Sequence, residues 1–152
     1  LAFGLENEGL APRRIKERIK EYAKIYDLEE FLDRDTQELS SGEASKVALV
    51  GVLVTEPDIL ILDEPLSLLD APNRKMMVKQ INRIKEKGKT LIIAEHDIKD
   101  LISAIDRIVL LKDGQIKAKG KPKEIASDLY SEGIRLPLKM ELKAEVELND
   151  KS

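Results

Sequence analysis

The stretch Asp58-Ile59-Leu60-Ile61-Leu62-Asp63-Glu64-Pro65 decides the fold class. Its four apolar residues run without a polar break between turn-forming neighbours, the pattern of a strand covered on both faces. A helical stretch over residues 72–87 follows, and then a second run of the same kind, Thr90-Leu91-Ile92-Ile93-Ala94. Residues 98–105 read as a helix and residues 107–111 as a third strand, which turns at Asp113-Gly114 into residues 115–119. Residues 123–130 close the series as a helix. Strands alternating with helices predict an α/β fold built on a parallel sheet, with one hairpin at its edge.

Upstream, Pro12 stands where a first helical residue is tolerated, and Ile15, Ile19, Tyr22, Tyr26 and Leu28 recur at helical spacing. A short helix is expected around residues 28–32 and a third over residues 40–55, so residues 1–56 form a helical subdomain ahead of an α/β core at residues 57–137. In the tail, residues 138–152, Leu138, Met140, Leu142, Ala144, Val146 and Leu148 alternate with polar residues. That alternation favours a strand, although Glu, Lys and Ala prefer helices.

The chain has 152 residues, 42% of them hydrophobic, enough for an ordinary core. Its 29 acidic and 26 basic residues nearly cancel, so total charge calls for neither nucleic acid nor an anionic membrane. The absence of cysteine removes disulfides and thiolate chemistry, and a single histidine, His96, rules out a multi-histidine metal site. The apolar runs fall well short of the ~20 residues of a membrane-spanning helix. The chain begins at Leu1 inside what reads as a structured segment, so a piece of a longer protein is expected.

In parallel α/β sheets ligands gather beyond the carboxyl ends of the strands. There the sequence places Asp63-Glu64-Pro65 after the first strand and Glu95-His96-Asp97 after the second. Asp63-Glu64-Pro65 reads equally as a polar strand exit stopped by proline. As chemistry, one carboxylate would hold a Mg2+ ion and the next would orient or deprotonate a water for phosphoryl transfer. Leu39-Ser40-Ser41-Gly42-Glu43 contains a Ser-x-x-Glu capping box, a purely structural helix start. The same free amides and small side chains make a helix N-terminus an anion site.

Taken in order, Leu39-Ser40-Ser41-Gly42-Glu43, one helix, residues 59–65, then Ser67-Leu68-Leu69-Asp70, one helix, one strand and His96 resemble the ATP-binding cassette (ABC) ATPases. The resemblance covers roughly residues 1–137 and is specific between Leu39 and His96. It implies an incomplete P-loop NTPase fold, with ATP and Mg2+ as cofactors. By the same carry-over, Asp63 matches the Mg2+-binding aspartate, Glu64 the catalytic glutamate, Asp70 the D-loop aspartate and His96 the histidine that senses the γ-phosphate. Ser40, Ser41, Gly42 and Glu43 match the signature usually written LSGGQ, which contacts the nucleotide of a second cassette. The opening Leu1-Ala2-Phe3-Gly4-Leu5-Glu6-Asn7 resembles energy-coupling-factor and cobalt-type importers, implying a transmembrane partner and a place on the cytoplasmic face of the membrane.

The 152 residues contain no G-x-x-x-x-G-K-[ST] phosphate loop; Gly88-Lys89-Thr90 lacks the first glycine, position 83 being Arg, and reads as a helix stop. Ser41 and Glu43 depart from the signature, and Leu66 stands where threonine is common. Three readings follow: an importer ATPase subunit inactive without the loop, a non-catalytic degenerate cassette, or a soluble ABC protein of translation or repair. The tail is then expected to be a strand, or the start of a second cassette.

Overall fold

The computed structural model describes residues 1–67 and 69–149. The chain divides into two compact units, residues 1–94 and 95–152, each with its own core.

The first unit opens with α1 (Phe3–Asn7) and α2 (Pro12–Ile25), the latter started by Pro12 as expected. Short 3-10 turns at Glu29–Phe31 and Thr36–Glu38 lead into α3 (Ser41–Leu53). Then come β1 (Ile59–Asp63), α4 (Ala71–Glu86) and β2 (Thr90–Ala94). β1 and β2 pair in parallel, in a register that sets Asp63 opposite Ala94. α4 ends at Gly88, whose φ of 76° only a residue without Cβ adopts freely. The core gathers Leu5, Tyr26, Leu28, Val50, Leu66 and Ile84, all at 1% exposure or less.

A polar knot ties the helices together. The ammonium of Lys46 on α3 is buried and donates to the Asp27 carbonyl at 2.5 Å. Arg83 on α4 donates to the Ile25 carbonyl at 2.9 Å. Both cations thereby close the C-terminal end of α2, where unpaired carbonyls attract positive charge.

Burial on both faces of β1 does not hold among the described residues. Leu60 is buried, but Ile59 and Ile61 are 59% and 69% exposed, as is Ile92 of β2 at 54%. The continuous apolar run reports two faces suited to burial, and within this stretch of chain only one finds cover.

In the second unit β3 (Ile108–Lys112) and β4 (Gln115–Gly120) form an antiparallel hairpin. Its turn is the expected one: Asp113 and Gly114 have φ of 51° and 71°, the pair of left-handed residues that matches strand twist. The hairpin makes a separate two-stranded sheet rather than an edge of the parallel one. Periodicity identifies strands but carries no information on which sheet they join. α5 (Ala126–Ser131) and α6 (Leu138–Asn149) form a core with the hairpin residue Leu110 through Leu129 and Ala144, joined by Leu136 from the segment between the two helices.

Two further expectations are corrected. Residues 98–105 form successive tight turns, with Leu101 N–H donating to the Ile98 carbonyl and Ala104 N–H to that of Leu101, rather than an α-helix. A segment this short gains little from the α ladder, and burial of Ile98, Leu101 and Ala104 fixes the turns instead. The tail is a helix, α6, not a strand. Glu141 accepts from the Leu136 N–H at 3.0 Å and Glu147 from the Ser127 hydroxyl at 2.7 Å, contacts that tie its first and last turns to the neighbouring chain. Residues 150–152 lie outside the described residues.

Candidate nucleotide site

The N-terminus of α3 is organised by the capping box foreseen in the sequence. The Ser40 hydroxyl accepts from the Glu43 N–H at 3.3 Å, and a Glu43 carboxylate oxygen accepts from the Ser40 N–H at 2.7 Å. The Ser40 carbonyl takes the Ala44 N–H at 2.8 Å, so the ladder begins at once. The amides of Ser41 and Gly42 precede that ladder and are the helix's two remaining N-terminal donors. The bonds to Ser40 hold the Glu43 carboxyl below the usual glutamate range, with the nearby cations Arg34 and Lys46 adding to the effect.

Asp63 closes β1 and is exposed. Glu64, next in the chain, still joins the parallel ladder, its N–H donating to the Ala94 carbonyl at 2.9 Å. Its φ of 45° then turns the chain sharply out of the strand, a left-handed conformation that costs a side-chain-bearing residue roughly 1 kcal/mol. The Glu64 carbonyl accepts the Ser67 N–H at 3.2 Å and the Ser67 hydroxyl at 3.0 Å, which closes the turn. Leu66 is fully buried and anchors it from below. The departure from threonine at this position is therefore a hydrophobic anchor.

Asp70 caps α4, accepting the Asn73 N–H at 3.0 Å. The Asn73 side chain in turn lies against Gly42: a Cβ built on Gly42 would come within 2.4–2.5 Å of the Asn73 amide atoms. The structure thus brings the signature helix and the Asp70 turn together through a residue that the sequence reading missed. Its position three residues after a capping aspartate signals only an N-terminal helix residue. Arg34, 3.7 Å from Glu43, was also missed, and nothing in local spacing points to it.

Between α3 and β1 runs an open groove of about 480 Å3, with Ser45 and Val52 on one wall, Ile59 and Ile61 on the other, and Asp63 and Glu64 at its polar end. One unit therefore holds Ser40, Ser41, Gly42, Glu43, Asp63, Glu64 and Asp70. His96 belongs to the second unit, exposed, with its Nδ1 3.8 Å from a carboxylate oxygen of Glu95, whose side chain is buried. No group of three or more metal-ligating side chains occurs among the described residues.

A helix N-terminus with free amides and a strand that ends in two consecutive carboxylates is the pair of features that the resemblance turns on. The family model described as "ABC transporter" matches residues 4–67, which include both. This stretch belongs to the ABC ATPases. A putative ABC transporter ATP-binding protein of Streptococcus pneumoniae is 42% identical over 142 residues, covering 91% of this chain and 25% of its own length. The energy-coupling factor transporter ATP-binding protein EcfA1 of Streptococcus mutans is 36% identical over 141 residues, covering 90% of this chain and 50% of its own. Among solved structures, cbiO1 of Clostridium perfringens, described as part of the ABC transporter complex cbiONQ, superposes with a TM-score of 0.75 at 34% identity. That match takes in 97% of this chain and 55% of cbiO1. The chain spans a quarter to about half the length of these relatives. What it adopts is part of a nucleotide-binding domain of the ABC fold, its parallel strands included.

Proposed function

We propose that this chain is the signature-bearing part of an ATP-hydrolysing subunit of an ABC importer, of the energy-coupling-factor type. The observation that carries the reading is the joint presence, in one compact unit, of the capped signature helix and the Asp63-Glu64 strand end.

In this reading Glu64 is the general base that takes a proton from the attacking water. The sharp turn at Glu64 sets its side chain beyond the strand end, where a ligand of a parallel sheet sits. Asp63 is the metal ligand. Its carboxylate, at the end of β1, is the group that would hold a Mg2+ ion. The bound ion and nucleotide supply the reacting phosphoryl group and neutralise its charge. His96, by its match to the family's switch histidine, would be the γ-phosphate sensor. Ser40, Ser41 and Gly42 present hydroxyls and amides to the nucleotide of a second cassette, with Asp70 beside them and Glu43 capping the helix that carries them.

The partners are then a second ATPase domain and a transmembrane subunit at the cytoplasmic face of the membrane, moving cargo of metal-ion or vitamin type. No helix among the described residues is long and apolar enough to cross a membrane. The test uses the full-length cassette that carries this segment. Glu64→Gln keeps ATP binding and lowers turnover by a factor of about 100 or more, because the carboxylate acts on water and not on the ground-state nucleotide. An unchanged rate removes Glu64 from the role of base.

A further inference from the structure

Glu43 presents a problem to any helix N-terminus that faces phosphate. Its carboxylate stands one residue from Gly42 and two from Ser41, whose amides are the donors left for an anion, and an uncompensated negative charge there would repel one. The structure shows where the compensation lies. The Arg34 guanidinium sits 3.7 Å from the Glu43 oxygen that the cap leaves free. It is held from two other sides, by the Glu30 carboxylate at 3.5 Å and by the Phe31 ring, 5.2 Å from its carbon to the ring centroid. The Lys46 ammonium lies over the same ring at 5.7 Å, so two cations share one aromatic ring.

We propose that Arg34 is a positioning residue of the signature: it holds the Glu43 carboxylate on the cap and cancels its charge, so that the start of α3 stays receptive to nucleotide phosphate. This rests on the reading of α3 as the nucleotide-facing helix and deepens it. Arg34 itself touches no nucleotide. Its planar fork suits the task better than an ammonium because it can face two carboxylates and a ring at once.

The experiment is a double-mutant cycle in the full-length cassette carrying Glu64→Gln, reading by sedimentation the ATP concentration that half-saturates dimer formation. Arg34→Gln raises that concentration by about two- to fivefold, the range expected of a partly exposed ion pair. Adding Glu43→Gln to Arg34→Gln returns it to the value of Glu43→Gln alone, because a neutral side chain keeps the cap and needs no counter-charge. A purely structural role for Arg34 leaves the loss in place in the second background, and equal losses in both overturn the proposal. Arg34→Lys, which retains the charge, guards against misfolding of the first variant; it keeps most of the affinity, and a loss as large as that of Arg34→Gln also overturns the proposal. If no ATP-dependent dimer forms in the parent, the nucleotide-facing reading fails and Arg34 with it. If the dimer forms and the cycle shows no coupling, Arg34 alone is refuted.

Discussion

Substituting Gly42 by alanine separates two reasons for a glycine in the signature helix. The new Cβ would sit 2.4–2.5 Å from the Asn73 side-chain atoms, about 1 Å inside ordinary contact. The obstacle is the end of a short, rotatable side chain and not backbone, so relief costs a non-ideal rotamer, on the order of 1 kcal/mol. Against this, alanine in place of glycine within a helix gains up to about 1 kcal/mol, less in a first turn. The two terms nearly cancel, and Gly42→Ala should change the stability of the chain by no more than about 0.5 kcal/mol. With Asn73→Ala already in place the clash is gone, and the same substitution should stabilise by about 0.5–1 kcal/mol. Urea denaturation of the four proteins of the cycle measures the coupling, expected near 1 kcal/mol. Additivity within about 0.3 kcal/mol would falsify the contact. If Gly42→Ala still weakens ATP-dependent association of the full-length cassette in the Asn73→Ala background, the glycine serves close approach of phosphate as well as the fit to Asn73.

The 152-residue chain by itself should show no Mg2+-dependent ATP hydrolysis, since the lysine and amides of a phosphate loop contribute on the order of 5–10 kcal/mol to nucleotide binding; turnover abolished by Glu64→Gln would show that this reasoning is wrong. Burial and then the Glu56 carboxylate, which accepts its hydroxyl at 3.2 Å, push the Tyr22 phenol up to about 12, while in the unfolded chain it ionises near 10. Its contribution is therefore complete below pH 10 and lost as pH rises from 10 towards 12, by about 1 kcal/mol after allowance for a half-exposed Glu56. Tyr22→Phe should flatten alkaline denaturation in that window, and identical slopes would count against the assignment. Removing the buried ammonium with Lys46→Ala leaves the Asp27 carbonyl without its donor and should cost about 2–3 kcal/mol in urea unfolding, whereas Lys46→Met keeps the aliphatic stem and should cost about half as much; equal losses would show that the hydrogen bond, and not the stem, carries the effect.

The local geometry of the candidate site was legible where it depends on covalent order. A capping box is written in four consecutive positions, and Ser40 and Glu43 close it as the sequence says. The strand-end position of Asp63 and Glu64 follows from a run of apolar residues and the residue after it. What was not legible depends on residues distant in sequence. Asn73 against Gly42 is set by the approach of α4 to α3, and Arg34 beside Glu43 by the path of two 3-10 turns. The left-handed turn at Glu64 also escaped, because glutamate is not a residue type that announces it.

The tail shows how a clean two-residue alternation can belong to a helix. Successive alternate positions are about 200° apart on a helix, so each member of the series falls about 40° from the next but one. Leu138, Met140, Leu142, Ala144 and Val146 therefore split into two stripes on opposite sides of α6. Met140 and Ala144 form the buried stripe, packed against the core of Leu129 and Leu136. Leu138, Leu142 and Val146 form the other and are 54–68% exposed. A strand would have put all five on one face, a larger gain in burial, but only with a sheet edge to receive it. The second unit instead offers a short helix, α5, to pack on, and α6 meets that helix. Glu, Lys, Leu and Ala then need no compensation for a conformation they already prefer. The period of a pattern thus ranks the faces a segment can offer, and the neighbouring element decides which of them is used.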